Sequence, residues 1–123
     1  GNLTDDCFMY FFDGATGMLS APELPATTLA AGCYGGMFYG CTGLTEAPEL
    51  PATTLVDWCY GEMFSGCTNL SSVTCLAENP GSEYCDYWLS GVAASGTFTK
   101  ADGVAWPSGV SGIPEGWSEL TAE

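Results

Sequence analysis

The nine-residue sequence APELPATTL occupies positions 21–29 and occurs again, unchanged, at positions 47–55. The similarity extends further, because 17 of 26 positions are identical between 18–43 and 44–69. The pattern is recognisable one period earlier, and WLSG at 88–91 stands where a later copy would carry MFSG, with one residue deleted. Periods of about 20 to 50 residues are typical of stacked repeats, which bury their apolar faces against one another. The sequence therefore predicts three repeats and a degenerate fourth.

Each repeat contains a stretch whose apolar residues have helical spacing. In the third repeat they recur at i, i+4, i+5, i+8 and i+9, on one predicted helix face: Leu55, Cys59, Tyr60, Met63 and Phe64. Thr54 precedes them, with Thr28 and Asn2 at the equivalent places, and such residues are good helix N-caps. Gly66 follows them, where a helix is expected to end. We therefore expect one short helix in each repeat.

A short strand is expected after each helix. Its predicted inward residues are Leu44, Ala47 and Leu50 in the second repeat and Leu70, Val73 and Leu76 in the third. Pro22 and Pro48 cannot donate to a β-ladder, which confines these strands to an interrupted or edge-like geometry. The sequence LSSVTCLA at 70–77 contains no proline, so we expect it to be the most regular strand.

The repeat pattern stops near position 96. By this criterion the chain divides into a repeat region, 1–95, and a C-terminal capping segment, 96–123. Stacked repeats need an atypical terminal unit to cover their last open face. We expect Trp106 and Trp117 to form the core of that cap, in preference to a pair of rings that stacks on carbohydrate.

Two groups of phrases resemble a known family. LPATTL, CY and MFSGCT in the repeats, followed by GTF, KA, SGIP and GW in the tail, are similar to the BspA-like leucine-rich repeat proteins of Bacteroides-type bacteria. The resemblance implies an α/β fold: a leucine-rich-repeat-like solenoid of helix–strand units of about 26 residues with a small β-rich C-terminal cap. It also implies an exported or cell-surface bacterial protein that adheres to host or neighbouring cells. Since the chain opens inside a repeat, we expect it to be a piece of a longer protein.

The charge balance limits the partners. Fifteen acidic residues face one basic residue, Lys100, for a net charge of −14. Nucleic acids and anionic membrane surfaces are poor partners, because both are bound through Lys and Arg. The acidic surface is interpreted either as a means of solubility or as a surface for a cation or a basic partner. Glu23 and Glu49 would stack on successive strands, but no calcium-loop motif is present, and we predict no metal and no cofactor.

The seven cysteines follow the repeat. Cys7, Cys33, Cys59 and Cys85 recur at or near its period, Cys41 and Cys67 form a second row, and Cys75 stands alone. On neighbouring helices, about 8–10 Å apart, the rows would be too widely spaced for disulfides. We therefore predict buried free thiols, with a Cys33–Cys41 pair as the alternative. Zinc is disfavoured, since the chain has no C-x-x-C motif and no histidine.

The sequence does not predict an enzyme. Without histidine, the common serine and cysteine nucleophile systems cannot be built, and the repeated carboxylates occupy surface positions instead of a unique cleft. The outward positions of the predicted helices vary between repeats, however, and carry four candidate binding residues: Tyr10, Tyr39, Trp58 and Glu62. Large aromatic residues are enriched at interaction hot spots. We expect a host or bacterial surface protein or glycan as the partner.

Two other interpretations stay open. The variation among these rings could be neutral sequence drift on a solvated face, with each ring packed against the neighbouring helices. The strand side is a second candidate surface, with Thr45, Glu46, Ser71, Ser72 and Thr74. The repeats could also be purely structural, a stalk that holds another domain away from the cell and binds no ligand itself.

Overall fold

The computed structural model describes residues 10, 12–18, 31–81, 83–109 and 111–121. Within these ranges the regular elements are three strands: β1 Ser72–Cys75, β2 Gly96–Lys100 and β3 Trp117–Thr121. They form one parallel sheet in the order β1-β2-β3, with Ser72 opposite Thr97 and Thr97 opposite Ser118. Isolated parallel bridges join Glu46 to Ser72 and Leu50 to Cys75. The second repeat therefore lies along the outer edge of β1.

The predicted helices do not form, so the predicted helix–strand leucine-rich-repeat fold is wrong. None of the described residues is helical. Each repeat instead contains a turn segment, and the described parts of these lie at 10 and 12–14, 31–40, 57–66 and 83–91. In the second turn segment Gly32, Gly36 and Gly40 have positive φ angles of 66°, 59° and 73°. A left-handed residue at every fourth position cannot belong to a right-handed helix.

Hydrogen bonds within the turn segments alternate with hydrogen bonds between repeats. The Met37 N–H donates to the Tyr34 carbonyl three residues back, at 3.1 Å. The next N–H, of Phe38, donates to the Met63 carbonyl of the following repeat at 2.9 Å. A helix would direct every N–H four residues back along its own chain. Here about half of them hold neighbouring repeats together instead.

The last position of each turn segment requires glycine. Gly40 and Gly66 have φ angles of 73° and 81°. A Cβ on Gly66 would also lie 3.4 Å from the Gly40 Cα, so the backbones of adjacent repeats approach closely there. The prediction that a helix ends at Gly66 is wrong, because Gly66 ends a turn segment. Thr54, predicted as a helix N-cap, is exposed and precedes no helix. Its counterparts Thr28 and Asn2 lie outside the described residues.

The apolar face predicted for the third repeat is buried despite the wrong secondary structure. All five of its residues are at most 3% exposed. Equivalent rings of successive repeats stack on one another: Phe12 on Phe38 at 5.5 Å and Phe38 on Phe64 at 5.6 Å between ring centroids. Tyr34 and Tyr60 stack in the same way. The repeat period therefore builds a core of ring columns.

The strand after the third turn segment is the most regular of the repeat strands, as expected. Ser72–Cys75 forms β1, whereas the equivalent part of the second repeat is joined to it by isolated bridges at Glu46 and Leu50. Its register differs from the prediction, because Cys75 and Ala77 are buried and Leu76 is half-buried. Side chains alternate along a strand, so Val73, Cys75 and Ala77 share the inward face.

The C-terminal segment packs on the fourth repeat. Trp106 stacks on Trp88 at 5.4 Å between ring centroids, and the Trp88 indole N–H donates to the Gly112 carbonyl at 2.9 Å. Trp117 is buried at the start of β3 and donates to the Ala93 carbonyl at 2.9 Å. The remaining residues of β3 are exposed. Trp106 and Trp117 are thus both part of the packing against the last repeat.

The described cysteines are buried. The Cys41 thiol donates to the Phe12 carbonyl at 3.2 Å, and the Cys67 thiol donates to the Phe38 carbonyl at 3.0 Å. Cys41 is a free thiol, so the alternative Cys33–Cys41 disulfide is absent. The spacing argument against bridges between repeats does not hold, because hydrogen-bonded backbones lie about 4.8 Å apart, closer than packed helices. Cys7 and Glu23 lie outside the described residues.

Candidate binding surface

The four candidate binding residues lie together on the turn segments. We call Tyr10, Tyr39, Trp58 and Glu62 the aromatic patch. The Tyr10 ring is 6.3 Å from the Tyr39 ring and 6.4 Å from the Trp58 ring, between centroids. Tyr10 and Tyr39 are 42% and 39% exposed, while Trp58 and Glu62 are half-buried. Residues from three different repeats thus contribute to one surface.

Glycines form the floor of the aromatic patch. A Cβ on Gly35 or Gly61 would overlap the Trp58 indole, and a Cβ on Gly36 would overlap the Tyr10 ring. All three glycines are buried beneath the rings. The sequence contained a signal for Gly36, because the equivalent positions in the neighbouring repeats carry the large residues Tyr10 and Glu62. The rings are therefore held against the backbone while remaining partly exposed.

Tyr10 and Glu62 are joined across an intervening repeat. The Tyr10 hydroxyl donates a hydrogen bond to Glu62 Oε1 at 3.2 Å. Partial burial raises the pKa of Tyr10, and the nearby charges of Glu62 and Asp13 raise it further. A carboxylate close to a phenol disfavours the phenolate, so the hydroxyl stays protonated and continues to donate.

Three of the four patch residues have left-handed backbones. The φ angles of Tyr10, Trp58 and Glu62 are 55°, 54° and 52°. Gly36 and Gly32 adopt the same conformation at equivalent places in the second repeat. For a residue other than glycine this conformation costs about 1–2 kcal/mol. The aromatic patch is thus built on positions where glycine would be less strained.

Among the described residues, one exposed ring was not predicted as a binding residue. Tyr87 is 53% exposed and has a φ angle of 52°. It follows Glu62 by 25 residues, one period less the residue deleted from the fourth repeat, so a search allowing that deletion would have found it. On the alternative strand side, Thr45, Glu46 and Ser71 are exposed and carry no large ring.

Neither a metal site nor a known relative adds to this description. Among the described residues, no group of three or more cysteines, aspartates or glutamates is arranged to hold a metal ion. The chain matches no family model, no curated protein and no solved structure. A search for membrane-spanning helices finds no candidate in the part of the chain that the structure describes.

Proposed function

We propose that this chain is the contact module of an exported bacterial cell-surface protein and that it binds a partner through the aromatic patch. The observation that carries the proposal is the assembly of Tyr10, Tyr39, Trp58 and Glu62 from three repeats on one surface. Large exposed rings beside a polar group are typical of interaction hot spots. The resemblance to BspA-like proteins supports the cell-surface setting.

The strained backbones favour binding over neutral drift. Folding alone would favour glycine at the positions of Tyr10, Trp58 and Glu62, as the second repeat does at Gly32 and Gly36. Strain of this kind is concentrated at functional sites, where another requirement offsets it. A stalk whose outer face contacts nothing would have no such requirement.

The experiment uses substitutions taken from the other repeats, so that the variants keep the turn geometry. Trp58→Gly copies Gly32, and Tyr39→Ser copies Ser65. The double variant is compared with the unaltered chain for binding to immobilised mucin, an extracellular-matrix protein and whole bacterial cells. Leu120→Ala is the matched control, because Leu120 is a 53% exposed apolar residue on β3.

We expect saturable binding to at least one surface, reduced at least about tenfold in the double variant and unchanged in Leu120→Ala. Circular dichroism establishes that each variant is folded. If the unaltered chain binds none of the surfaces, or if the double variant binds as well as the control, the contact function is wrong. The repeats would then be a structural spacer.

A further inference from the structure

We propose that the aromatic patch accepts an arginine side chain from a basic segment of a partner protein. This inference rests on the proposed contact function and specifies its ligand. Two features of the described residues carry it, namely the arrangement of the three rings and a carboxylate without a cationic partner. A neutral glycan or a flat aromatic ligand would use neither feature fully.

The Tyr10 ring is inclined to both of the other rings, so the three rings do not form one plane. The Tyr10 ring makes an angle of 64° with the Tyr39 ring and 54° with the Trp58 ring. A sugar ring or a nucleobase stacks on a flat platform, which such inclined rings do not provide. A cationic group can contact rings of different orientation, because each aromatic face attracts positive charge within about 6 Å of its centroid. Tryptophan is the strongest of the aromatic residues in this interaction.

The aromatic patch carries negative charge that no Lys or Arg side chain of the protein neutralises. The Glu62 carboxylate accepts a hydrogen bond from the Tyr10 hydroxyl, and Asp13 lies close enough to act on that same hydroxyl. The one Lys or Arg in the chain is Lys100, whose ammonium pairs with Glu119 at 3.0 Å. The net charge of −14 adds a long-range attraction for a basic partner.

Arginine fits these two features better than lysine does. Its planar guanidinium packs flat on an aromatic face, and its five N–H groups reach a carboxylate at the same time. Glu62 Oε1 accepts from Tyr10, which leaves Oε2 for a guanidinium N–H. A lysine ammonium is a compact, strongly hydrated charge that cannot stack in this way. A ligand recognised by its positive charge alone would need carboxylates but not three aromatic rings.

The test compares matched peptides by titration calorimetry at low and moderate salt. Three Gly/Ser peptides of equal length carry arginine, lysine or citrulline at the same two positions. Citrulline keeps the shape of arginine and removes its charge. We expect the arginine peptide to bind at least about tenfold more tightly than the citrulline peptide, and to weaken as salt is raised. The lysine peptide should lie between them.

Two glutamine variants separate a local effect from net charge. Glu62→Gln keeps an acceptor for the Tyr10 hydroxyl and removes the charge of the aromatic patch. Glu46→Gln removes one charge from the exposed strand side. We expect Glu62→Gln to weaken arginine binding about tenfold and Glu46→Gln to leave it within twofold. Circular dichroism again verifies folding.

Equal binding of the arginine and citrulline peptides, equal effects of the two glutamine variants, or tighter binding of lysine than of arginine would each overturn the inference. If no peptide binds while mucin or cells still bind through Trp58 and Tyr39, the arginine ligand is wrong and the contact function stands. If neither peptides nor surfaces bind, both proposals fail.

Discussion

The Tyr10 hydroxyl donates to the Glu62 carboxylate at 3.2 Å, although 52 residues separate them in the chain. The ring crosses the whole intervening repeat and lies on Gly36, where a Cβ would overlap it. The hydrogen bond between Tyr10 and Glu62 therefore depends on Gly36, which is hydrogen-bonded to neither of them. The exposed part of this molecule is as much a product of repeat stacking as its core is.

Gly36→Ala is expected to displace the Tyr10 ring and to destabilise the fold by about 2–3 kcal/mol. Roughly 1–2 kcal/mol comes from an alanine at a φ angle of 59°, and the rest from overlap with the ring. Urea unfolding at neutral pH measures the loss. Gly103→Ala is the control, since Gly103 has a φ angle of 78° and nothing within 4 Å of its Cβ position. Equal losses in the two variants would show that the ring does not rest on Gly36.

The side chain of Asn79 forms two hydrogen bonds with the backbone of Leu55, as the backbone of a neighbouring strand would. Its Oδ1 accepts from the Leu55 N–H at 2.8 Å and its Nδ2 donates to the Leu55 carbonyl at 3.2 Å. Asn79→Ala removes both hydrogen bonds from a largely buried residue, so we expect a loss of about 2 kcal/mol in the free energy of unfolding. Asn69→Ala removes one exposed hydrogen bond to the Thr42 carbonyl and should cost about 0.5 kcal/mol. A smaller loss for Asn79→Ala than for Asn69→Ala would contradict this role.

The buried thiols should make the fold sensitive to alkali. Burial raises the pKa of Cys59, Cys67 and Cys75 from about 9 to about 12. A raised pKa means that the unfolded chain loses these protons first. The thiols therefore stabilise the fold fully below about pH 9, and this contribution is lost as the pH rises towards 12. For three thiols the free energy of unfolding should fall by about 3 kcal/mol between pH 9 and 10.

Urea unfolding in the presence of a reductant at pH 7, 9 and 10 tests this. Cys67→Ala should reduce the fall between pH 9 and 10 by about 1 kcal/mol, because one thiol with a raised pKa is removed. The same thiols should resist alkylation at pH 8 until the protein is unfolded. A free energy of unfolding that stays constant between pH 9 and 10, or rapid labelling of the folded chain, would mean that the thiols are not protonated and buried as described.

Trp106 and Trp88 stack on one another but should respond differently to replacement by phenylalanine. The Trp106 indole nitrogen is buried without a hydrogen-bond partner, whereas the Trp88 indole N–H donates to Gly112. Trp106→Phe removes an unsatisfied donor and some stacking area, so these effects offset each other to within about 1 kcal/mol. Trp88→Phe loses a hydrogen bond and core volume and should cost at least about 2 kcal/mol. Thermal unfolding of both variants measures the difference, and equal losses would contradict it.

The sequence predicted which side chains of the repeats are buried, but it did not predict the conformation of the backbone that carries them. Residues at i, i+1, i+4 and i+5 share one face of a helix and also one side of a turn segment that repeats every four residues. The buried residues of the third repeat were therefore identified correctly under the wrong secondary structure. The sequence did contain a contrary signal, because Gly32, Gly36 and Gly40 recur at steps of four. Each glycine in a helix interior costs about 1 kcal/mol, so three of them disfavour a helix here even though the apolar residues have helical spacing.

The residues of the aromatic patch could be predicted from the sequence, but the contacts between them could not. The four-residue step identifies the outward positions, which are those of Tyr10, Tyr39, Trp58 and Glu62. Which rings touch depends on how neighbouring repeats are offset. The Tyr10 N–H donates to the Gly35 carbonyl 25 residues away, and no pattern within one repeat determines that offset. The glycine floor and the hydrogen bond between Tyr10 and Glu62 follow from it.

Glu62→Gly should stabilise the protein slightly while removing its arginine binding. Glu62 has a φ angle of 52°, and replacing it with glycine relieves about 1–2 kcal/mol of backbone strain. The greater freedom of glycine in the unfolded chain offsets about 0.4–1 kcal/mol of this gain. Loss of the hydrogen bond from Tyr10 is a small term, because that bond is exposed. The expected net gain in the free energy of unfolding is about 0.5 kcal/mol.

The matched control for this variant is Glu46→Gly. Glu46 is exposed and its φ angle is not positive, so glycine there relieves no strain and should cost about 0.4–1 kcal/mol. Urea unfolding of the two variants, with arginine-peptide titration on each, gives stability and binding together. A loss of stability in Glu62→Gly as large as that in Glu46→Gly would mean that Glu62 is not strained. The carboxylate at this position would then be compatible with the fold alone, and its retention would not indicate binding.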